Sequence, residues 1–195
     1  MHEPFNRTVP GDRRPLRVVN VAGFSGSGKT TLIARLVARA KADGIRAGVF
    51  KHTGHPEAVP PDVPGKDTAQ FADAGAAFRG LFGPGRALFY WDDQAAPARF
   101  IPLAQALDVD WLFIEGFKTA SGPKIAVVRT MDDVRAAHTW PNVVAVVGPR
   151  SLIEVLKAQD DIRALGWRMF DRDALEALYR WIAEEGRFVI DGDGA

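Results

Sequence analysis

The chain has 195 residues, of which 47% are hydrophobic and 25% charged, and its formal net charge is +1. That size and balance suit one globular domain with a substantial core, and they give no electrostatic case for binding nucleic acid or a membrane surface. Cysteine is absent, which excludes disulfides, thiolate zinc sites and cysteine nucleophiles and fits a cytoplasmic setting.

Residues 1–14, within "MHEPFNRTVPGDRRP", carry proline, glycine and charge but no apolar stretch. They read as a flexible tail rather than a secretory signal; the alternative is a basic arm using Arg7, Arg13 and Arg14. No apolar run approaches the ~20 residues of a membrane-spanning helix. Leu16–Ala22 is apolar and β-branched, a buried strand. "KTTLIARLVARAKADG" follows with Leu32, Ile33, Leu36 and Val37 at helical spacing and Gly44 as the terminating residue. Ile45–Phe50 is a second strand, so the chain opens with a β–α–β unit and therefore a parallel sheet.

"KHTGHPEAVPPDVPGKD" is a long loop, and length of this kind points to function or mobility. "KDTAQFADAG" is a short helix ending at Gly75. "AAFRGLFGPGRALFYW" makes two strands around Gly83-Pro84-Gly85, an inserted β-hairpin. Its aromatics exceed what a small hairpin buries alone, so it is expected to pack in a dimer or partner interface; the alternative is ordinary packing on its own domain. "PARFIPLAQALD" is helical after Pro97. Strands follow at "DWLFIEGF", Lys124–Arg129 and Asn142–Gly148. Ser151 to Glu154 has the pattern of a capping box opening a helix, and "DALEALYRWIAEE" is a terminal helix with Leu175, Leu178, Tyr179 and Ile182 on one face. The alternation predicts an α/β fold with a mostly parallel sheet flanked by helices.

Gly23-Phe24-Ser25-Gly26-Ser27-Gly28-Lys29-Thr30 matches G-x-x-x-x-G-K-[ST], the phosphate-binding loop of P-loop NTPases, between a strand and a helix. Only glycine lets backbone N–H groups close around phosphate, and the helix N-terminus adds its dipole. Lys29 is placed for the β- and γ-phosphates, Thr30 for Mg²⁺ and Thr31 for the α-phosphate. Glu115, at the carboxyl end of "WLFIE", is the candidate acidic partner for the metal, directly or through water. Asp67 is a candidate second metal or water-positioning group, or the cap of the helix it opens. His52 and His55 form an H-x-x-H pair; with His2 and His138 the only other histidines, contacts to phosphate or substrate are the expectation over a zinc site. Residues 15–195 are read as a single P-loop nucleotide-binding domain. No guanine-reading Asn/Thr-Lys-x-Asp motif occurs, so the residues leave the base open.

The segments "VAGFSGSGKTTL", "KHTGH…PGKDTAQFADAGA", "DWLFIEGFK" and "PKIAVVR", in that order, resemble the molybdopterin-guanine dinucleotide biosynthesis protein B (MobB) family over roughly residues 16 to 184. The resemblance implies a GTP- and Mg²⁺-binding homodimer with weak GTPase activity. It also implies partners in the molybdenum cofactor guanylyltransferase and in molybdopterin and molybdenum insertion proteins. By resemblance, Gly23, Ser25, Gly26, Ser27, Gly28, Lys29, Thr30 and Thr31 bind nucleotide. Glu115 is the metal-side carboxylate, and Lys51, His52, Lys66 and Asp67 form a switch-like set. The chain departs from the family pattern at Gly54, where histidine is common, and at Gly148-Pro149-Arg150, where an aspartate is expected. Two other readings remain: a small-molecule kinase using Arg79 and Arg86, and a metal-delivery GTPase using His52 and His55.

Overall fold

The structure is a computed structural model describing residues 14–53, 67–91 and 97–190. The tail 1–13 and the loop positions Gly54, His55, Gly65 and Lys66 therefore lie outside the described residues. The chain divides into two compact units, Met1–His52 with Ile101–Ala195, and Thr53–Phe100.

In the first unit, β1 (Leu16–Gly23), α1 (Lys29–Ala42) and β2 (Ala47–Lys51) realise the expected β–α–β unit. Gly44 takes a left-handed φ of 69° just past α1, as a helix-terminating residue does. Next come α3 (Ile101–Ala106), β5 (Trp111–Glu115), β6 (Lys124–Val127), α4 (Met131–His138), β7 (Val143–Gly148) and α5 (Arg150–Lys157). The unit closes with α6 (Asp160–Ala164), β8 (Arg168–Asp171), α7 (Leu175–Glu184) and β9 (Val189–Ile190). The strands run in the order β2-β5-β1-β6-β7-β8, every neighbouring pair parallel. β9 adds antiparallel to the first residues of β1.

Strand alternation divides the core between the two faces of the sheet. Val19, Val21, Trp111, Phe113, Ile125 and Val127 face α1 and α7 through Leu32, Leu36, Leu178 and Ile182. On the other face, Ala126, Val128 and Val146 meet α4 and α5, and Leu112 and Ile114 meet α3. Burial on both faces is why these strands read as continuous apolar runs rather than alternating ones. β1 sits centrally, between β5 and β6, so its carboxyl end opens where the crossovers diverge to either side. That is where open α/β sheets hold ligands.

One local expectation is corrected. Ser151 does not open a helix with a capping box: α5 is capped by Pro149, with no side-chain cap hydrogen bond, and Ser151 lies inside its first turn. Proline presets φ near the helical value, so the helix starts ahead of the serine. The capping box forms at α4 instead, where Thr130 accepts from the Asp133 N–H and the Asp133 carboxylate accepts from the Thr130 N–H.

The second unit contains α2 (Asp67–Asp73) and the hairpin β3 (Arg79–Gly83) with β4 (Arg86–Tyr90). Pro84 and Gly85 form the turn, and Gly85 takes φ 75°, which favours glycine. Phe82 and Phe89 meet edge-to-face across the strands at 5.4 Å. Arg79 is buried with its guanidinium 5.4 Å from the Tyr90 ring centre.

Candidate nucleotide-binding site

The loop between β1 and α1 is ordered by its glycines. A Cβ on Gly23 would stand 2.6 Å from the Val127 carbonyl oxygen and 2.6 Å from the Ser27 hydroxyl, closer than such atoms approach. Gly28, the N-cap of α1, sits at φ 98°, a conformation that costs other residues strain. α1 has no side-chain cap and no acidic residue in its first turn. Its leading N–H groups and positive dipole end are therefore left for an anion. Ser27 is buried, and its hydroxyl has no hydrogen-bond partner among the described residues. A buried hydroxyl in that state is an incomplete site that a phosphate oxygen would satisfy.

Lys29 bends over the loop and donates from Nζ to the Phe24 carbonyl at 2.7 Å. Burial lowers its pKa; Glu115 opposes that shift, while Lys118 and Lys51 reinforce it. Thr30 is the point where loop and sheet meet. Its hydroxyl donates to the Glu115 carboxylate, 2.9 and 3.0 Å from the two oxygens. Register explains the meeting: Val21 of β1 is level with Glu115 of β5, two residues before the loop begins. Glu115 is 7% exposed, and Lys51 Nζ stands 4.0 Å from it. A hydroxyl and a carboxylate on adjacent elements are the hard oxygen donors that suit Mg²⁺.

Of the remaining expected residues, Ser25 and Gly26 lie in the loop and Thr31 follows Thr30 in α1. His52 donates its backbone N–H to the Glu115 carbonyl at 2.9 Å, and its ring packs tilted at 44° against Phe117, 4.0 Å between centres. The backbone turns sharply there, with Gly116 at φ 104° and Phe117 at φ 50°. Asp67 opens α2 in the second unit, and Lys66 lies outside the described residues. Among the described residues no three histidine or carboxylate side chains gather as a metal cluster.

Two cations at the loop, Lys118 and Arg129, and a third at the start of β6, Lys124, were not assigned from sequence. Lys118 Nζ lies 3.8 Å from the Phe24 ring centre and 5.3 Å from that of Trp140. Arg129 donates to the Gly26 carbonyl at 3.2 Å. Lys124 is fully buried and donates to the carbonyls of Ala120, Gly122 and Pro141; burial lowers its pKa. It fastens the segment after Glu115 to the start of β7. The "EGFK" and "PKI" segments were visible signals for the two lysines, whereas nothing local marks Arg129.

Residues 18–149 match the family described as molybdopterin guanine dinucleotide synthesis protein B, MobB. The chain belongs to this family. It is 38% identical over 138 residues to the probable molybdopterin-guanine dinucleotide biosynthesis adapter protein of Bacillus subtilis, spanning 69% of this chain and 77% of that protein. It is 37% identical over 114 residues to the corresponding adapter protein of Escherichia coli, spanning 55% of this chain and 63% of that protein. The solved structure of Bacillus subtilis MobB superposes with a TM-score of 0.64 at 27% identity, covering 87% of this chain and 99% of that one. The MobB-matched span holds the whole loop, Glu115 and Lys124, and it ends at Pro149, one residue before α5. The α/β P-loop fold expected from sequence is thus the MobB fold. Among the described residues no helix is long and apolar enough to cross a membrane.

Proposed function

We propose that the protein is a GTP-binding adapter of molybdopterin guanine dinucleotide biosynthesis, acting in the cytoplasm as a homodimer that assists the guanylyltransferase and the proteins that insert the cofactor. In this reading residues 15–195 are one nucleotide-binding domain carrying Thr53–Phe100 as an insertion. The observation that carries it is the Gly23–Thr31 loop, with its unfilled Ser27 hydroxyl and with Thr30 joined to Glu115. The relatives' names supply the pathway.

Gly26, Ser27 and Gly28 would surround phosphate with N–H groups, and Lys29 would exchange the Phe24 carbonyl for a phosphate oxygen. Thr30 and Glu115 would hold Mg²⁺, which supplies charge neutralisation along the phosphates when bound. Asp67 is proposed as a water-positioning or second metal group, with Lys51, His52 and Lys66 as phosphate-side contacts. No general base stands in the described loop, so turnover is slow unless a partner adds a group, a gain of ~10³–10⁵ in activated GTPases.

Isothermal titration with GTP and ATP in the presence of Mg²⁺ tests site and base together. GTP binds with clear preference, and Lys29→Ala weakens it by roughly 10–100-fold, the scale of one charged contact. Preference for ATP by about tenfold or more would refute the guanine assignment, and an unaffected Lys29→Ala variant would refute the site.

A further inference from the structure

The far edge of the sheet carries a second surface, built from residues beyond the MobB-matched span. A groove of about 700 Å³ runs along β8, with Arg168, Met169 and Phe170 as its floor. Lys157 of α5 and Arg163 beside it form one wall; Arg180, Trp181 and Glu184 of α7 form the other. Those helices cover opposite faces of the sheet, since Leu156 of α5 and Leu178 of α7 belong to different core clusters. A groove walled by both opens along the sheet's rim.

β8 pairs with β7 on one side and with no strand on the other among the described residues. The Arg172 N–H donates to the Gly148 carbonyl. In a parallel ladder alternate residues turn both backbone groups to the same neighbour, so Arg168 and Phe170 face β7. Trp167 and Met169 then present their N–H and C=O groups outward into the groove. Such an edge is a template for an added strand.

The rim has a sign. Four cations and one carboxylate, Glu184, line the groove. Arg163 pairs with Asp160 and Arg168 acts on the Glu185 carboxylate, while neither Lys157 nor Arg180 makes an ion pair or hydrogen bond among the described residues. Charged side chains, lysine above all, also guard a strand edge against self-association; here they surround apolar rings rather than a bare edge. The half-buried rings of Trp167, Phe170 and Trp181 lie between the cations, where alternate apolar side chains of an extended chain would rest.

We propose that β8 and its flanking helices form a docking groove for an acidic, extended peptide segment of a partner protein, which adds to the sheet as a strand. The proposal is independent of nucleotide binding.

The test uses the full-length protein and a synthetic peptide of about ten residues alternating glutamate with valine or leucine. Amide spectra show the Trp167 and Met169 N–H signals shifting as peptide is added. Lys157→Glu with Arg180→Glu, two exposed positions, weakens binding roughly tenfold or more with the fold retained. Methylating alternate peptide nitrogens abolishes it. Absence of binding at about 1 mM peptide, or equal binding of the lysine-for-glutamate peptide, would overturn the proposal. Undiminished binding of the methylated peptide would do the same. So would tripolyphosphate or anionic phospholipid vesicles shifting these signals while the peptide does not.

Discussion

Thr30 and Glu115 show how register brings a hydroxyl and a carboxylate from different elements together. The threonine hydroxyl has a single proton and shares it between two carboxylate oxygens. The hydroxyl keeps its lone pairs while its proton is on the carboxylate, so Thr30 and Glu115 would be able to hold a cation together without that hydrogen bond having to open. Gly23 is the stricter requirement. The obstruction to a side chain there is the Val127 backbone carbonyl, which cannot rotate away. Gly23→Ala should therefore lose nucleotide affinity by at least about tenfold, on the scale of one misplaced charged contact, while helix content by circular dichroism stays as in the wild type. Full affinity in that variant would show that the loop tolerates displacement from β6. The glycine and lysine spacing was legible in the sequence because the loop's constraints are local. Lys118 over Phe24 and Arg129 on the Gly26 carbonyl were not, because those contacts join residues far apart in the chain and have no periodicity to read.

At the scale of elements, long apolar runs announced β1, β5 and β7, and the spacing of Leu32, Ile33 and Leu36 announced α1. α4, α6, β8 and β9 escaped that reading. Each is short, and β8 owes its strand state to pairing with β7 rather than to its own composition. The Ser151 pattern failed for a related reason, since local capping chemistry lost to the preset backbone of Pro149. The end of α7 gives a testable consequence. Glu185 accepts from the Arg187 side chain and N–H, and the Arg187 guanidinium lowers its pKa to about 2. A depressed carboxylate stabilises the fold above its unfolded value of about 4.3 and loses that contribution as pH falls towards 2. Urea midpoints should therefore fall between about pH 4 and pH 2 more steeply in the wild type than in Glu185→Gln. Parallel curves for the two proteins would show that the pair adds nothing.

For the whole molecule, exposed apolar surface is unevenly distributed. Phe78, Leu81, Phe82, Leu88 and Phe89 all stand on or beside the hairpin, with Phe82 73% exposed. A concentration of that kind marks an association surface. Sedimentation velocity at tens of micromolar should give a dimer, and Phe82→Glu should give a monomer with an unchanged melting temperature. A wild-type monomer under those conditions would remove the homodimer from the proposed function.

Lys124 lies wholly out of water, and carbonyl oxygens are its hydrogen-bond partners among the described residues. Acylating reagents need a free amine that they can reach, and Lys51 on the surface offers one. Lys124 offers none until the Gly116–Gly122 segment lifts away from β7. Its covalent labelling rate is therefore a clock for the opening of the backbone behind Glu115, one that runs without any ligand.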